Sequence, residues 1–506
     1  MMHGFKAVLL LLSLCPMARA ASAQSEPAAK MAPVAIHIDT AAVTHTMASG
    51  AGASWHAIGP EAYWYPDLTD RENRNSRGSG WGGNPPLSYT DAWKDLEREA
   101  SWLGLDFVRV EIDMRMYEPE RGKFDWNNDQ MKTLYRILDW CQANHVDVFF
   151  TQMWADVEWN QYEGVGRLQS APKSVDDFAQ GMATLMEHLV KQKGYTCIRW
   201  LCMVNEPGGS WGWWLGPDGK SISLMPAIHA LRTALDKRGL SEIGLSGPDW
   251  AMSLKSPDFD FNDKAVGAWD SHNYSNDPNA TLQKLWAEKA HARGIPFFLS
   301  EFGDSAGGSV FTVRDDPSPK SYPNQLMNAE KLIDGMNVGT DGFNRWSFTN
   351  RGDLDGQWQL VRTFDRNTWD YTKRVEPEPV PYYTYGIITR FMAKHSSVLK
   401  SECSSPEVAV AALRSPKGNL TIYVLNKSEA DERVELNLAH LKAGETLYKY
   451  QVTGGVVNNP HFAMNPLAHY EIVPGSAATT DTVPGESITV YTTYKLMNAD
   501  PGIIAE

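Results

Sequence analysis

Residues 198–214 read IRWLCMVNEPGGSWGWW. The stretch is mainly apolar as far as Val204, then turns polar at Asn205-Glu206-Pro207. A short apolar run closed by turn residues predicts a buried strand. Pro207, with no N–H and a fixed φ, helps to end it. A buried strand that delivers an amide and a carboxylate suits the mouth of a (β/α)8 barrel, where catalytic side chains sit at the C-terminal strand ends.

Working outward, comparable runs predict strands at 50–56, 107–113, 146–154, 243–247, 265–273, 296–300 and 342–348. Between them, apolar residues at helical spacing predict helices at 90–103, 129–144, 175–191, 282–293 and 325–336. Strands that are apolar throughout and alternate with helices imply parallel pairing, covered on both faces. Eight such units over roughly 300 residues fit a TIM barrel. The rival doubly wound sheet would want a Gly-x-Gly-x-x-Gly turn between an early strand and its helix, and the chain has none there. Long connections at 57–89 and 349–380 follow the first and eighth predicted strands.

A last barrel helix is predicted at 382–399. Beyond it the period changes, and β-rich runs at 407–413, 420–425, 433–438, 446–452, 468–473 and 487–494 predict a C-terminal β-sandwich. An early run at 34–38 is a candidate extra strand for it. At the N-terminus, Lys6, the apolar stretch 7–14 and small residues up to 23 predict a cleaved signal peptide and a secreted or periplasmic protein. That stretch is too short for a membrane span. The predicted organisation is a signal peptide at 1–23, a connecting segment at 24–48, the barrel at 49–399 and the sandwich at 400–506.

The formal net charge of −14 over 506 residues repels phosphate backbones, so nucleic acid is not an expected partner. Nineteen Trp residues offer flat apolar faces suited to stacking on sugar rings. No Cys-x-x-Cys or His-Glu-x-x-His occurs, and no metal or other cofactor is expected. Cys197 and Cys202 fall on opposite faces of one predicted strand and cannot pair locally. Nothing in the chain fixes an oligomeric state.

Polar residues collect at the predicted strand ends. Arg109, Glu111 and Asp113 lie on the second, and Gln152, Trp154 and Asp156 on the third. Asn205 and Glu206 close the fourth, while His272, Asn273 and Tyr274 lie on the sixth. Glu301 is on the seventh, and Arg345 and Trp346 on the eighth. Glu206 and Glu301 are 95 positions apart, which is three βα units of about 31 residues. They are therefore expected to face each other across the mouth. Two carboxyls about 5 Å apart are what a retaining glycosidase needs.

Asn205-Glu206-Pro207 and Glu301 within LSEFG, with Arg109, His272, Tyr274 and Trp346 in strand order, resemble glycoside hydrolase clan A over roughly residues 50–395. Within the clan, FVRVEIDMRMYEPERGKFDW (107–126) is similar to families 39 and 5, and the C-terminal sandwich to families 30 and 39. The resemblance implies a retaining hydrolase of carbohydrate, with Glu206 as general acid/base and Glu301 as nucleophile. It implies that Asn205 holds the sugar 2-hydroxyl and that Trp346 forms the floor under the reacting sugar. Tyr274 and Arg109 would keep Glu301 ionised, and His272 would contact Glu206 or the substrate. Many clan members carry His after the third strand. Here the stretch is FFTQMWADVEWN, and Trp154 and Asp156 are candidates for that contact. Trp55, Trp64, Trp81, Trp211, Trp213, Trp214 and Trp358 could wall the mouth into a pocket, favouring exo-action, or line a long cleft for endo-action. The reading from a different class is a catalytically silent glycan-binding protein on the same barrel; the paired carboxylates argue against it.

Overall fold

The computed structural model describes residues 32–57, 83–152, 157–166, 169–208, 214–251, 258–275, 277–303, 322–349, 359–365, 370–440, 444–459, 461–472 and 479–504. The predicted signal peptide and Trp64, Trp81, Trp154, Asp156, Trp211, Trp213 and Trp358 lie outside these residues.

The first strand among the described residues is β1 (Val34–Thr46), after which the chain enters a barrel of eight parallel strands. These are β2 (Ala51–Ala53), β3 (Phe107–Ile112), β4 (Asp147–Gln152), β5 (Ile198–Cys202), β6 (Gly244–Ala251), β7 (Ala268–Asn273), β8 (Phe297–Phe302) and β9 (Gly342–Arg345). From β3 to β9 each pairs with the next, and β9 pairs with β2. The circle is completed between β2 and β3, where Asp106 N donates to Ala51 O at 3.2 Å and Trp55 N to Arg109 O at 2.9 Å. Gly52 permits that approach: a Cβ there would lie 1.3 Å from Phe107 O.

Alternation along the strands separates two interiors. Val108, Val110 and Ile112 face the helices and join the large outer core. Phe107, Phe149, Cys202, Ala268 and Phe298 fill the lumen, with the three Phe rings 5.2–6.2 Å apart. This apolar plug occupies the N-terminal end and leaves the upper lumen to the polar residues that follow in each strand.

The outer helices are α1 (Thr90–Leu103), α2 (Asp129–Ala143), α3 (Val175–Glu187), α4 (Met225–Lys237), α5 (Thr281–Ala292), α6 (Tyr322–Val338) and α7 (Pro379–Thr389). Side chains start two of them, since Asn128 accepts from Met131 N and Ser174 from Asp177 N. The helix α4 is absent from the predicted set, yet it buries a stripe of Ala227, Ile228, Leu231, Ala234 and Leu235. The helix predicted at 382–399 is shorter than its pattern implies. It ends at Thr389, His395 turns with a left-handed φ of 61°, and residues from Ser397 start a strand. The connection after β9 contains an unpredicted hairpin of β10 (Val361–Phe364) and β11 (Tyr371–Pro377). Arg374 fastens it to α1 through Asp95 at 2.7 Å.

The C-terminal strands are β12 (Ser397–Cys403), β13 (Val408–Arg414), β14 (Leu420–Asn426), β15 (Glu432–Ala439), β16 (Thr446–Thr453), β17 (Ala468–Glu471), β18 (Thr479–Val483) and β19 (Ser487–Thr492). With β1 they make one nine-stranded sheet in the order β17-β16-β19-β14-β13-β12-β1-β15-β18. The sheet folds over so that Tyr491 of β19 donates to Asp481 of β18 at 2.8 Å. Ile36, Ile38, Val434 and Leu436 thereby share a core with Ile422, Val424 and Leu447. β1 lies between β12, antiparallel, and β15, parallel. The sandwich docks on the barrel through α6 and α7: Asn337 donates to Val410 O at 2.7 Å and Tyr423 to Ile388 O at 3.1 Å.

Candidate active site

The inward positions of β3 after Phe107 are Arg109 and Glu111, both fully buried. A buried guanidinium must be paired, and Arg109 sits at the centre of four acceptors. It donates to Glu301 Oε2 at 2.8 Å, Asp249 Oδ2 at 2.9 Å, Asn205 Oδ1 at 2.6 Å and Glu111 Oε1 at 2.5 Å. Its Nε donates to Thr151 Oγ1 at 3.0 Å. On the far side of Glu111, His56 Nδ1 lies 2.8 Å from Oε2. The His56 ring packs 4.7 Å from that of Trp346.

Two bulges aim the remaining groups. In β6 the register against β7 runs from Pro248 opposite Asp270 to Trp250 opposite Ser271, so Asp249 is an extra residue, with φ 56°. In β8 the register passes from Leu299 to Glu301 against consecutive residues of β7, so Ser300 is extra. A bulge re-aims side chains, and bulges are frequent beside active sites. These two meet: Ser300 Oγ donates to Asp249 Oδ1 at 2.9 Å. His272 of β7 stands between carboxylates, with Nε2 2.9 Å from Asp249 Oδ1 and Nδ1 2.7 Å from Glu206 Oε1. Nδ1 is also 3.7 Å from Glu301 Oε2. Tyr274 donates to Glu301 Oε1 at 2.5 Å. Carboxylate oxygens of Glu206 and Glu301 and a ring nitrogen of His272 all lie within 4.8 Å of one another. Glu206 follows β5 with a left-handed φ of 45°, and its N–H donates to Asp249 O at 3.2 Å.

The electrostatics follow from burial and close pairing. Burial opposes charge on His272, but Asp249, Glu301 and Glu206 outweigh it and hold the ring well above the usual imidazole value. Burial also works against Asp249, yet His272 and Arg109 hold its carboxyl well below the usual range. For Glu301 the balance reverses. Burial pushes it up to about 7 against the pull of His272 and Arg109, and the Glu206 carboxylate adds to the rise. The lowering expected of Arg109 from the sequence is present, and burial outweighs it. Burial, then the neighbouring Glu301, keeps the Tyr274 phenol protonated. Beneath the site, burial and then Asp249 push Asp270 up to about 8.

Of the residues singled out from sequence, Arg109, Asn205, Glu206, His272, Tyr274 and Glu301 come together in one hydrogen-bonded cluster, and Trp346 borders it through His56. Trp55 does not. Its ring is fully buried on the helix side of the barrel, against Trp93, Trp140 and Phe348, and its Nε1 donates to Asn84 Oδ1 at 2.8 Å. The next residue, His56, takes the inward position instead. Trp214 is buried against Phe178 of α3. Gln152 ends β4 and accepts from Tyr117 OH at 3.0 Å. Sequence reasoning passed over His56, Glu111 as a partner, and Asp249. The signal for Asp249 is Gly247-Pro248-Asp249, which reads as a strand end but lies within β6.

A parallel barrel with these carboxylates at its mouth, joined to a C-terminal sandwich, is the architecture of a clan A glycoside hydrolase acting on O-glycosyl bonds. Residues 69–351, more than half of the chain, match the cellulase family (glycosyl hydrolase family 5), and the chain belongs to that family. Among solved structures it is similar to a conserved exported protein from Bacteroides fragilis, at 13% identity and a TM-score of 0.66 over 90% of this chain and 100% of that one. It is also similar to a family 30 subfamily 8 xylanase from Clostridium acetobutylicum, at 17% identity and a TM-score of 0.58 over 90% and 98% of the chains. An α-L-arabinofuranosidase from Thermotoga maritima aligns at 13% identity and a TM-score of 0.55 over 92% and 100%. At such identities these likenesses establish the fold alone. No curated protein sequence matches the chain.

Proposed function

We propose that the protein is a secreted retaining β-glycoside hydrolase in which Glu206 is the general acid/base and Glu301 the nucleophile. The observation that carries this reading is the approach of the two carboxylates, within 4.8 Å, the spacing of a double-displacement enzyme at about 5 Å. Glu206 protonates the glycosidic oxygen while Glu301 attacks the anomeric carbon, giving a covalent glycosyl-enzyme and the free leaving group. Glu206, now a carboxylate, takes a proton from the water that displaces Glu301. The unequal surroundings suit the two roles. Glu301 is held from both oxygens by Tyr274 and Arg109, which fixes its angle of attack. Glu206 is held through Oε1 by His272, leaving Oε2 for proton transfer. Asn205, whose Oδ1 is anchored by Arg109, keeps its amide N–H free in orientation for a sugar hydroxyl.

Exo-action remains the favoured mode. Described residues of the connections after the first and eighth strands meet, Thr363 of β10 donating to Gly83 O at 2.5 Å, which supports loops gathered on one side of the barrel. Aryl β-glycosides and plant or microbial glycans are the first substrates to screen. Among the described residues no helix is long and apolar enough to cross a membrane.

Glu301→Gln should abolish turnover of aryl β-glycosides, and Glu206→Ala should be partly restored by azide. Full activity in both variants refutes the assignment; sugar binding without turnover by the unaltered protein supports the glycan-binding alternative.

A further inference from the structure

Asp249 touches the supports of both proposed catalytic residues. Its Oδ1 accepts from Ser300 Oγ at 2.9 Å and faces His272 Nε2 at 2.9 Å. Its Oδ2 accepts from Arg109 at 2.9 Å, the same guanidinium that holds Glu301. Its backbone O accepts from Glu206 N at 3.2 Å, and its own N–H donates to Asp270 Oδ1 at 2.7 Å. All of this depends on the residue's insertion as a bulge in β6, with a φ of 56° that non-glycine residues rarely adopt.

We propose that Asp249 is a positioning residue of the glycosidase reaction, fixing His272 so that Nδ1 faces Glu206 while holding Arg109 against Glu301. The inference rests on the functional reading above. Charged, His272 donates from both ring nitrogens, so anchoring Nε2–H on Asp249 Oδ1 fixes the ring with Nδ1–H aimed at Glu206 Oε1. Glu206 is thereby oriented with its other oxygen toward the leaving group. The same carboxylate fixes one arm of the Arg109 fork, which directs the other arm to Glu301.

The test is Asp249→Asn, which keeps the shape and removes the charge. Two aryl β-glycosides are compared: a dinitrophenyl substrate, whose leaving group needs no protonation, and one with a poor leaving group that does. General acid catalysis contributes about 10²–10⁴-fold. Partial loss of its orientation should therefore lower kcat/KM for the poor leaving group by about 10–100-fold more than for the dinitrophenyl substrate. Without Asp249 the charge on His272 is less strongly held, so Glu301 loses a neighbouring cation that pulls its carboxyl down. The rising limb of the pH profile of kcat/KM with the dinitrophenyl substrate should move to higher pH. A role in packing alone would lower both substrates equally and leave the profile in place, and that result overturns the proposal. Ser300→Ala, which removes one hydroxyl from Oδ1, should give the same leaving-group selectivity at smaller size. If Asp249→Asn does not fold, an unchanged selectivity in Ser300→Ala overturns the proposal. Glu301→Gln is run in parallel: if it keeps turnover, the glycosidase reading itself fails, whereas an inactive Glu301→Gln with no selectivity in the other variants sinks the positioning role alone.

Discussion

Replacing Tyr274 by Phe removes one hydrogen bond and leaves the ring in place. The phenol donates to Glu301 Oε1 at 2.5 Å inside a buried site. A hydrogen bond to a charged group contributes about 1.5–3 kcal/mol. One pKa unit corresponds to about 1.4 kcal/mol, so losing this bond should raise the Glu301 carboxyl by roughly 1–2 units. It starts at about 7. A nucleophile reacts as the anion, so kcat/KM rises with pH through this ionisation. With a dinitrophenyl β-glycoside the proton donor is not needed, and the rising limb reports Glu301 alone. The limb should move from about 7 to about 8–9. One unit below the original limb, kcat/KM should fall by about 10–100-fold, because the ionised fraction falls in that proportion. Above the displaced limb the variant should approach the unaltered enzyme. If the limb stays in place, or the loss is the same at every pH, Tyr274 is a packed phenol and the argument for its role fails.

Three further outcomes follow from the packing. Trp55→Phe removes the indole hydrogen bond to Asn84 Oδ1 and should cost about 0.5–1.5 kcal/mol in denaturant unfolding, with KM unchanged; a large rise in KM at unaltered stability would return Trp55 to the substrate site. Gly52→Ala forces a Cβ to 1.3 Å from Phe107 O and should prevent the soluble protein from forming, so a soluble, normally melting variant would refute the closure described between β2 and β3. Asp270, pushed up to about 8, holds a proton in the folded state that the unfolded chain releases near pH 4. Stability should therefore fall as pH rises between those values, by about 1.4 kcal/mol per unit. Asp270→Asn should flatten that slope, and thermal melts of both proteins across the window would show parallel curves if the reading is wrong.

The barrel is legible in the sequence because its strands are buried on both faces, and continuous apolar runs survive single-sequence reading. Its closing strand is less so. β2 keeps only three residues, too few for alternation to decide which of Trp55 and His56 turns inward, and the larger aromatic is the misleading choice. Asp249 was hidden for a different reason. Gly247-Pro248 carries the signature of a turn, so the predicted strand stops two residues before the bulged Asp249 that brings the carboxylate inward. In the last helix, apolar content continued past Thr389 and masked the change to β12, which a left-handed residue at His395 brings about. The pairing of Glu206 with Glu301 needed no such detail, since unit spacing around a barrel is regular. What spacing leaves out is desolvation, and it is desolvation that lifts Glu301 to about 7.

The placement of β1 has a consequence for how the chain assembles. Ile36 pairs with Cys403 on one side and Leu436 on the other, so the first described strand waits for partners that are synthesised last. Such remote pairing has a high contact order, and loop closure must be completed before any stabilisation is gained. The barrel has all its strands once Arg345 has emerged, while β1 remains a solitary strand with two open edges. The sandwich is thus expected to be completed after the barrel, when β1 meets the strands of the far part of the chain. Folding intermediates should carry an ordered barrel and an aggregation-prone N-terminal strand.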